Sequence, residues 1–170
     1  MKVALVAAAA GLLAANAGAA VRTKTFTLYA RATQVQYLNH ADDRQRGLYG
    51  NPFNVDAKSL PTPAKKGSGS APGPGDNALF SFKIYKDAAL KQKIGTAVYS
   101  CTFNFSEIAI CDASYELNGG TMTGGGPIDF RKTSFTLAVS GGTGTYFGAR
   151  GQVSSAPAVK NVHRLDFVLR

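Results

Sequence analysis

The chain has little of what catalytic motifs are made from. Its 170 residues include two histidines, His40 and His163, and two cysteines, Cys101 and Cys111. No Gly-x-Ser-x-Gly elbow and no His-Glu-x-x-His occurs, so serine-hydrolase and zinc-peptidase readings have no motif to stand on. Two cysteines ten residues apart do not complete a tetrahedral metal site and do not form a Cys-x-x-Cys redox pair, and the spacing of oxygens that calcium needs is missing around Asp42-Asp43. Neither a metal nor a cofactor is therefore expected. Acidic residues are scarce too, with 10 Asp and Glu against 19 Lys and Arg and a net charge of +9. The cations are scattered, however, and no basic stripe interleaved with aromatics is present, which argues against a nucleic-acid partner.

Long apolar runs are also missing. The longest, over residues 3–15, follows Met1-Lys2 and gives way to small residues, with Ala15-Asn16-Ala17 and Ala17-Gly18-Ala19 both fitting a small-x-small cleavage pattern. It is shorter than the roughly 20 residues of a membrane span. Residues 1–20 thus read as a secretory signal peptide rather than an integral anchor, and the protein is expected to be secreted or periplasmic. The rest, about 150 residues, suits a single domain over residues 21–170. In an oxidising compartment Cys101 and Cys111 can pair. Residues 98–104 and 108–113 read as the two arms of a hairpin, a register that sets the two cysteines directly opposite each other.

What is present is alternation. Residues 25–38, 78–85, 94–104, 108–117, 121–130, 133–139, 149–154 and 162–170 read as eight strands, with no convincing helix among them. Asn118-Gly119 predicts a type I′ hairpin turn, and Gly124-Gly125-Gly126-Pro127 predicts a bend or bulge in the fifth strand. The fold class is all-β, an eight-stranded antiparallel up-and-down barrel of calycin-like design, with a β-sandwich as the alternative. Residues 41–76 break the pattern. They are charged at first and then rich in proline and glycine, a composition that does not order itself, and they suggest a long loop with a possible role as a lid.

The most constrained stretch is Gly141-Gly142-Thr143-Gly144, followed by Gly148-Ala149-Arg150-Gly151-Gln152-Val153. Strands flank it, and its glycines miss the dinucleotide-binding spacing. With the preceding Phe135-Thr136-Leu137-Ala138-Val139-Ser140, it resembles the hairpin shared by plant allene oxide cyclases, dirigent proteins and their bacterial barrel relatives, and the match is best over residues 77–170. The resemblance implies an eight-stranded barrel around an apolar pocket for a small apolar or aromatic molecule. It also implies a homo-oligomer, because the plant proteins are trimers, and activity as a cofactor-free isomerase or cyclase or as a stereochemical guide. A non-catalytic binding protein, or a structural and surface-interaction domain with a filled core, are the other readings.

Arg150 matches the arginine of the dirigent motif, which is thought to line the pocket. On the alternating pattern Tyr146 and Gly148 share its face. Charged residues inside strands are the remaining ligand-binding candidates: Arg31, Asp112 and Glu116, the last two as partners for an inward Arg150. Two departures from the family are visible. Residues 25–38 contain no acid to serve as the cyclase's first-strand carboxylate, and the acid often found inside the dirigent turn is replaced by Gly144. His163 shares a strand face with Leu165, Phe167 and Leu169 and is expected to be a hydrogen-bonded strand-end residue rather than a base.

Overall fold

The structure, a computed structural model, describes residues 23–38, 72–104 and 107–170. The signal-peptide reading, His40, Asp42-Asp43 and most of the 41–76 loop lie outside these residues. Eight strands follow in order: β1 (Lys24–Leu38), β2 (Asn77–Tyr85), β3 (Lys93–Phe103), β4 (Ile108–Leu117), β5 (Gly120–Asp129), β6 (Phe135–Gly142), β7 (Gly151–Val159) and β8 (Val162–Leu169). Each pairs antiparallel with the next, and β8 returns to pair with β1 from Lys24↔Leu169 to Arg31↔Val162, closing the barrel. Closure leaves no unpaired sheet edge. Among the described residues no helix is long and apolar enough to cross a membrane.

Strand alternation sorts the side chains. In β4, Ala109, Cys111, Ala113, Tyr115 and Leu117 are buried, while Ile110, Asp112, Ser114 and Glu116 between them are exposed. Cys101 and Cys111 are register partners as expected, and they form a disulfide wholly inside the barrel. Gly124 lies at a register shift between β5 and β6, the expected bulge, where an added Cβ would come within 2.0 Å of the Ala138 carbonyl oxygen.

The two ends of the barrel differ. At one end, two turns interlock. The Asn118-Gly119 hairpin is where the sequence places it, but positive φ falls on Gly119 (99°) and Gly120 (147°) and not on Asn118, so the turn is not type I′. The reason is the neighbouring turn, a single 3-10 turn over Gly144–Tyr146 that presses against it. Thr145 donates to the Gly119 carbonyl from both its amide (2.8 Å) and its hydroxyl (2.7 Å). The Thr121 and Thr143 hydroxyls lie 2.7 Å apart. Gly144 has φ 58°, and a Cβ there would sit 2.1 Å from the Gly119 carbonyl oxygen. Glycine is thus required twice over, and an acid at this position would collide with backbone.

Below the midline, Tyr115, Phe167, Met122 and Leu137 are wholly buried in the interior. Phe26 stacks on Phe167 at 4.8 Å and Tyr115 meets Phe167 edge-on at 5.3 Å. At the other end β1 finishes and β2 begins. There Asp76 is buried, accepts from the Tyr37 hydroxyl and from the Gly73 amide (2.8 Å), and accepts through its own carbonyl from the Phe103 amide. This desolvated contact with a carboxylate pushes the Tyr37 phenol up to about 12.

Substitution of Gly144 by alanine is expected to cost about 2 kcal/mol or more in urea unfolding, since it adds both strain and a backbone clash. Gly148, with φ 72° but nothing within 4 Å of an added Cβ, should cost only about 1 kcal/mol on the same change.

Candidate functional site

Above the filled half, the barrel holds a cavity of about 360 Å³ that reaches the end where β1 finishes. Its wall is mainly aromatic. Phe80 and Phe82 come from β2, Tyr99 from β3 and Phe135 from β6, with Phe130 just beyond β5. The rings touch in sequence, Phe82 to Tyr99 at 5.2 Å, Tyr99 to Phe135 at 6.1 Å and Phe80 to Phe130 at 5.9 Å. Ala30 and Ala32 leave the space that larger residues would fill, and Cys101 brings the disulfide to the wall. Lys132 stands at the rim and pairs with Asp129 at 3.8 Å. Arg131 also grips Asp129, through two hydrogen bonds that hold its carboxyl down at about 2.

Two polar clusters reach this wall. The Tyr99 and Tyr115 hydroxyls are 2.6 Å apart and buried. Burial pushes the Tyr99 phenol up to about 12, against the lowering effect of its bond to Tyr115, and pushes Tyr115 further in the same direction. Both are neutral over the physiological range. The second cluster joins Ser155, whose side chain is buried, to His163 through Ser155 Oγ and His163 Nδ1 at 2.9 Å. Desolvation lowers the His163 pKa, favouring the neutral imidazole. The hydrogen bond expected of His163 is present, and so is its inward face, but the histidine is also part of the cavity wall.

The residues singled out from the sequence lie elsewhere. Arg31 is exposed because Leu28 and Ala30 take the inner face of β1. Asp112 and Glu116 are exposed because they alternate with Cys111, Ala113 and Tyr115. Arg150 is exposed and donates from Nη1 to the Ser140 carbonyl at 3.2 Å. The 3-10 turn ends the alternation before β7 begins at Gly151, so Tyr146 and Arg150 do not share a strand face. Tyr146 instead packs at the closed end, 6.4 Å from the Phe26 ring with Lys24 over it. None of these five residues lines the cavity, and among the described residues no ion pair joins Arg150 to Asp112 or Glu116. Nor do three His, Cys, Asp or Glu gather to hold a metal ion among the described residues. Tyr99 and Tyr115 were legible had the strand phase been counted from the cysteines, since both are an even number of residues from one.

With this geometry in place, solved structures provide the comparison. The chain is similar to a pyocyanin demethylase (20% identity, TM-score 0.58, covering 86% of this chain and 98% of that one). It is also similar to AbnU, an exo-specific intermolecular Diels-Alderase (10% identity, TM-score 0.57, 87% and 98% covered). A third is the pterocarpan synthase dirigent protein GePTS1 (14% identity, TM-score 0.54, 87% and 84% covered). The eight-stranded closed antiparallel barrel is the fold that this chain shares with them. No family model and no curated protein matches the chain. At these identities the likeness shows the barrel architecture alone, and the chemistry has to be argued from the cavity wall of this chain.

Two measurements check the polar clusters. Tyr99→Phe or Tyr115→Phe alone leaves the partner hydroxyl stranded in the core and should cost about 1–2 kcal/mol, whereas the double variant should be close to neutral. For His163, the unfolded chain takes up its proton near pH 6.5 while the folded chain resists until lower pH, so stability falls as pH drops through that value. The melting temperature should therefore decline between pH 7.5 and 5.5, approximate limits set by the ordinary histidine pKa, and His163→Gln should flatten that decline.

Proposed function

We propose that the protein binds a small, neutral, aromatic or apolar molecule inside the barrel. The observation that carries this reading is the aromatic cavity itself. A filled structural core would continue the packing of Tyr115 and Phe167 to the mouth, and here the packing stops halfway. A volume of about 360 Å³ lies at the lower end of the range for ligand sites and suits one or two fused rings. Barrels of this type include cyclising enzymes and a dirigent protein, which supports a ligand inside the barrel. The apolar segment behind Lys2 and the buried cystine support export, where the disulfide would persist.

A second reading, a cofactor-free isomerase or cyclase, is favoured by one observation. A neutral imidazole at His163 and a phenol at Tyr99 share one wall, and such a pair can take and give a proton at near-neutral pH. Among the described residues no carboxylate lines the cavity, so the work of ordering a reactive conformer would fall mainly on the aromatic surfaces.

The neutral two-ring fluorophore 1-naphthylamine provides the test. Saturable enhancement at one site is expected. Ala32→Phe, which fills the cavity, should weaken it at least about tenfold, and Arg150→Ala on the outside should leave it unchanged. No saturable binding, or equal binding by Ala32→Phe, overturns the cavity reading. Native mass spectrometry of the exported protein then separates the two functions: a co-purifying compound recovered unaltered after incubation supports binding, and its conversion to an isomer supports catalysis.

A further inference from the structure

The tyrosine pair says more about the ligand than its size. Two phenols meeting at 2.6 Å hold two hydroxyl protons, and only one can lie between the two oxygens. Among the described residues neither hydroxyl has another hydrogen-bond partner. If Tyr99 donated to Tyr115, the remaining proton would be on Tyr115, which is wholly buried and packed against Phe167. That direction points a donor into hydrocarbon. If Tyr115 donates to Tyr99, the deep hydroxyl is satisfied and the spare proton belongs to Tyr99, the member of the pair on the cavity wall. Burial favours the second arrangement, because a donor is costly only where nothing can accept from it.

Resting on the cavity reading, we propose that Tyr99, polarised by Tyr115, is a hydrogen-bond donor site for a carbonyl or quinone-type oxygen of the ligand. The bond from Tyr115 makes Tyr99 a stronger donor, as chained hydrogen bonds do. Both phenols stay neutral, so the site offers a proton to share and no charge to pair. It therefore suits an uncharged acceptor oxygen on an aromatic or conjugated skeleton, lying between the Phe82 and Phe135 rings that flank Tyr99. Any electron density that builds up on such an oxygen during a rearrangement would be stabilised in place by the same donor.

The experiment compares two probes of nearly equal shape, acetophenone and α-methylstyrene, in which a carbonyl oxygen is exchanged for a methylene. Both should bind, with acetophenone the tighter, and the infrared carbonyl stretch of carbon-13-labelled acetophenone bound to the wild-type protein should lie below its value in cyclohexane. Tyr99→Phe should weaken acetophenone about fivefold to tenfold, change α-methylstyrene less than about twofold, and return the stretch to the cyclohexane value. Tyr115→Phe should give an intermediate stretch, which a purely packing role for Tyr115 would not produce. Binding of both probes with equal affinity and an unshifted stretch overturns the donor site while leaving the cavity reading intact. Binding of α-methylstyrene alone does the same. If neither probe binds, the cavity reading falls and the donor site with it. If Tyr99→Phe fails to fold, Tyr115→Phe still tests the assignment, because a stretch unchanged by it would place the donor at Ser155 or His163 on the same wall and overturn the proposal.

Discussion

Pairing of β1 with β8 is the constraint on which the rest depends, because a closed sheet has an inside and an outside and a strand has two faces. Once the ring is shut, every residue of every strand is committed to one or the other by its parity. A sheet left open between β1 and β8 could have left Arg31 at an ambiguous edge. Closure instead gives Arg31 to solvent, in the same step that gives Ala30 to the cavity. The disulfide acts with closure by locking the β3–β4 register at Cys101↔Cys111, and through it the inward phase of Tyr99 and Tyr115. A slip of one residue there would exchange the tyrosine pair for Val98 and Ser114.

The eight strands and the cystine were legible in the sequence for a physical reason: β-structure with one solvated face writes its period directly into the residues. The site was harder to read because charge was used as its marker. Charged residues inside strands attract notice, yet the desolvation cost that makes an inward charge interesting also makes it rare. The informative residues were instead polar ones in phase with the core. Tyr99 and Tyr115 keep step with Cys101 and Cys111, and His163 keeps step with Leu165. The turn chemistry failed for a different reason. Asn118-Gly119 taken alone favours a type I′ turn, but Gly144 and Thr145 press against it from 25 residues or so further along the chain, a contact of a kind that local sequence does not record.

The two ends of the barrel divide close packing from open space. At the closed end, Gly119, Gly120 and Gly144 let two turns meet backbone to backbone, and beneath them the large side chains Tyr115, Met122 and Phe167 are wholly buried. That plug supports the open half, where alanines at positions 30 and 32 stand in place of core-filling residues. Leaving a cavity forfeits packing energy, and the wall compensates by locking its rings against one another and by anchoring the chain at the mouth, where Asp76 receives Tyr37.

The polar groups of the cavity share one property, which bears on what can enter. Burial raises the phenols and lowers the imidazole, so each is driven toward its uncharged form from opposite directions. The cations and carboxylates are kept outside or at the rim, where Asp129 already occupies Arg131 and Lys132. Among the described residues, a cationic ligand carried into this interior would lose its hydration and meet no carboxylate on the wall, and an anionic one would meet only Lys132 at the rim, already paired with Asp129. A neutral ligand loses little, and one with an acceptor oxygen gains a bond. For the ligand proposed above, selectivity would follow from neutrality and ring shape, and the described wall would assist a reaction through protons shared along hydrogen bonds.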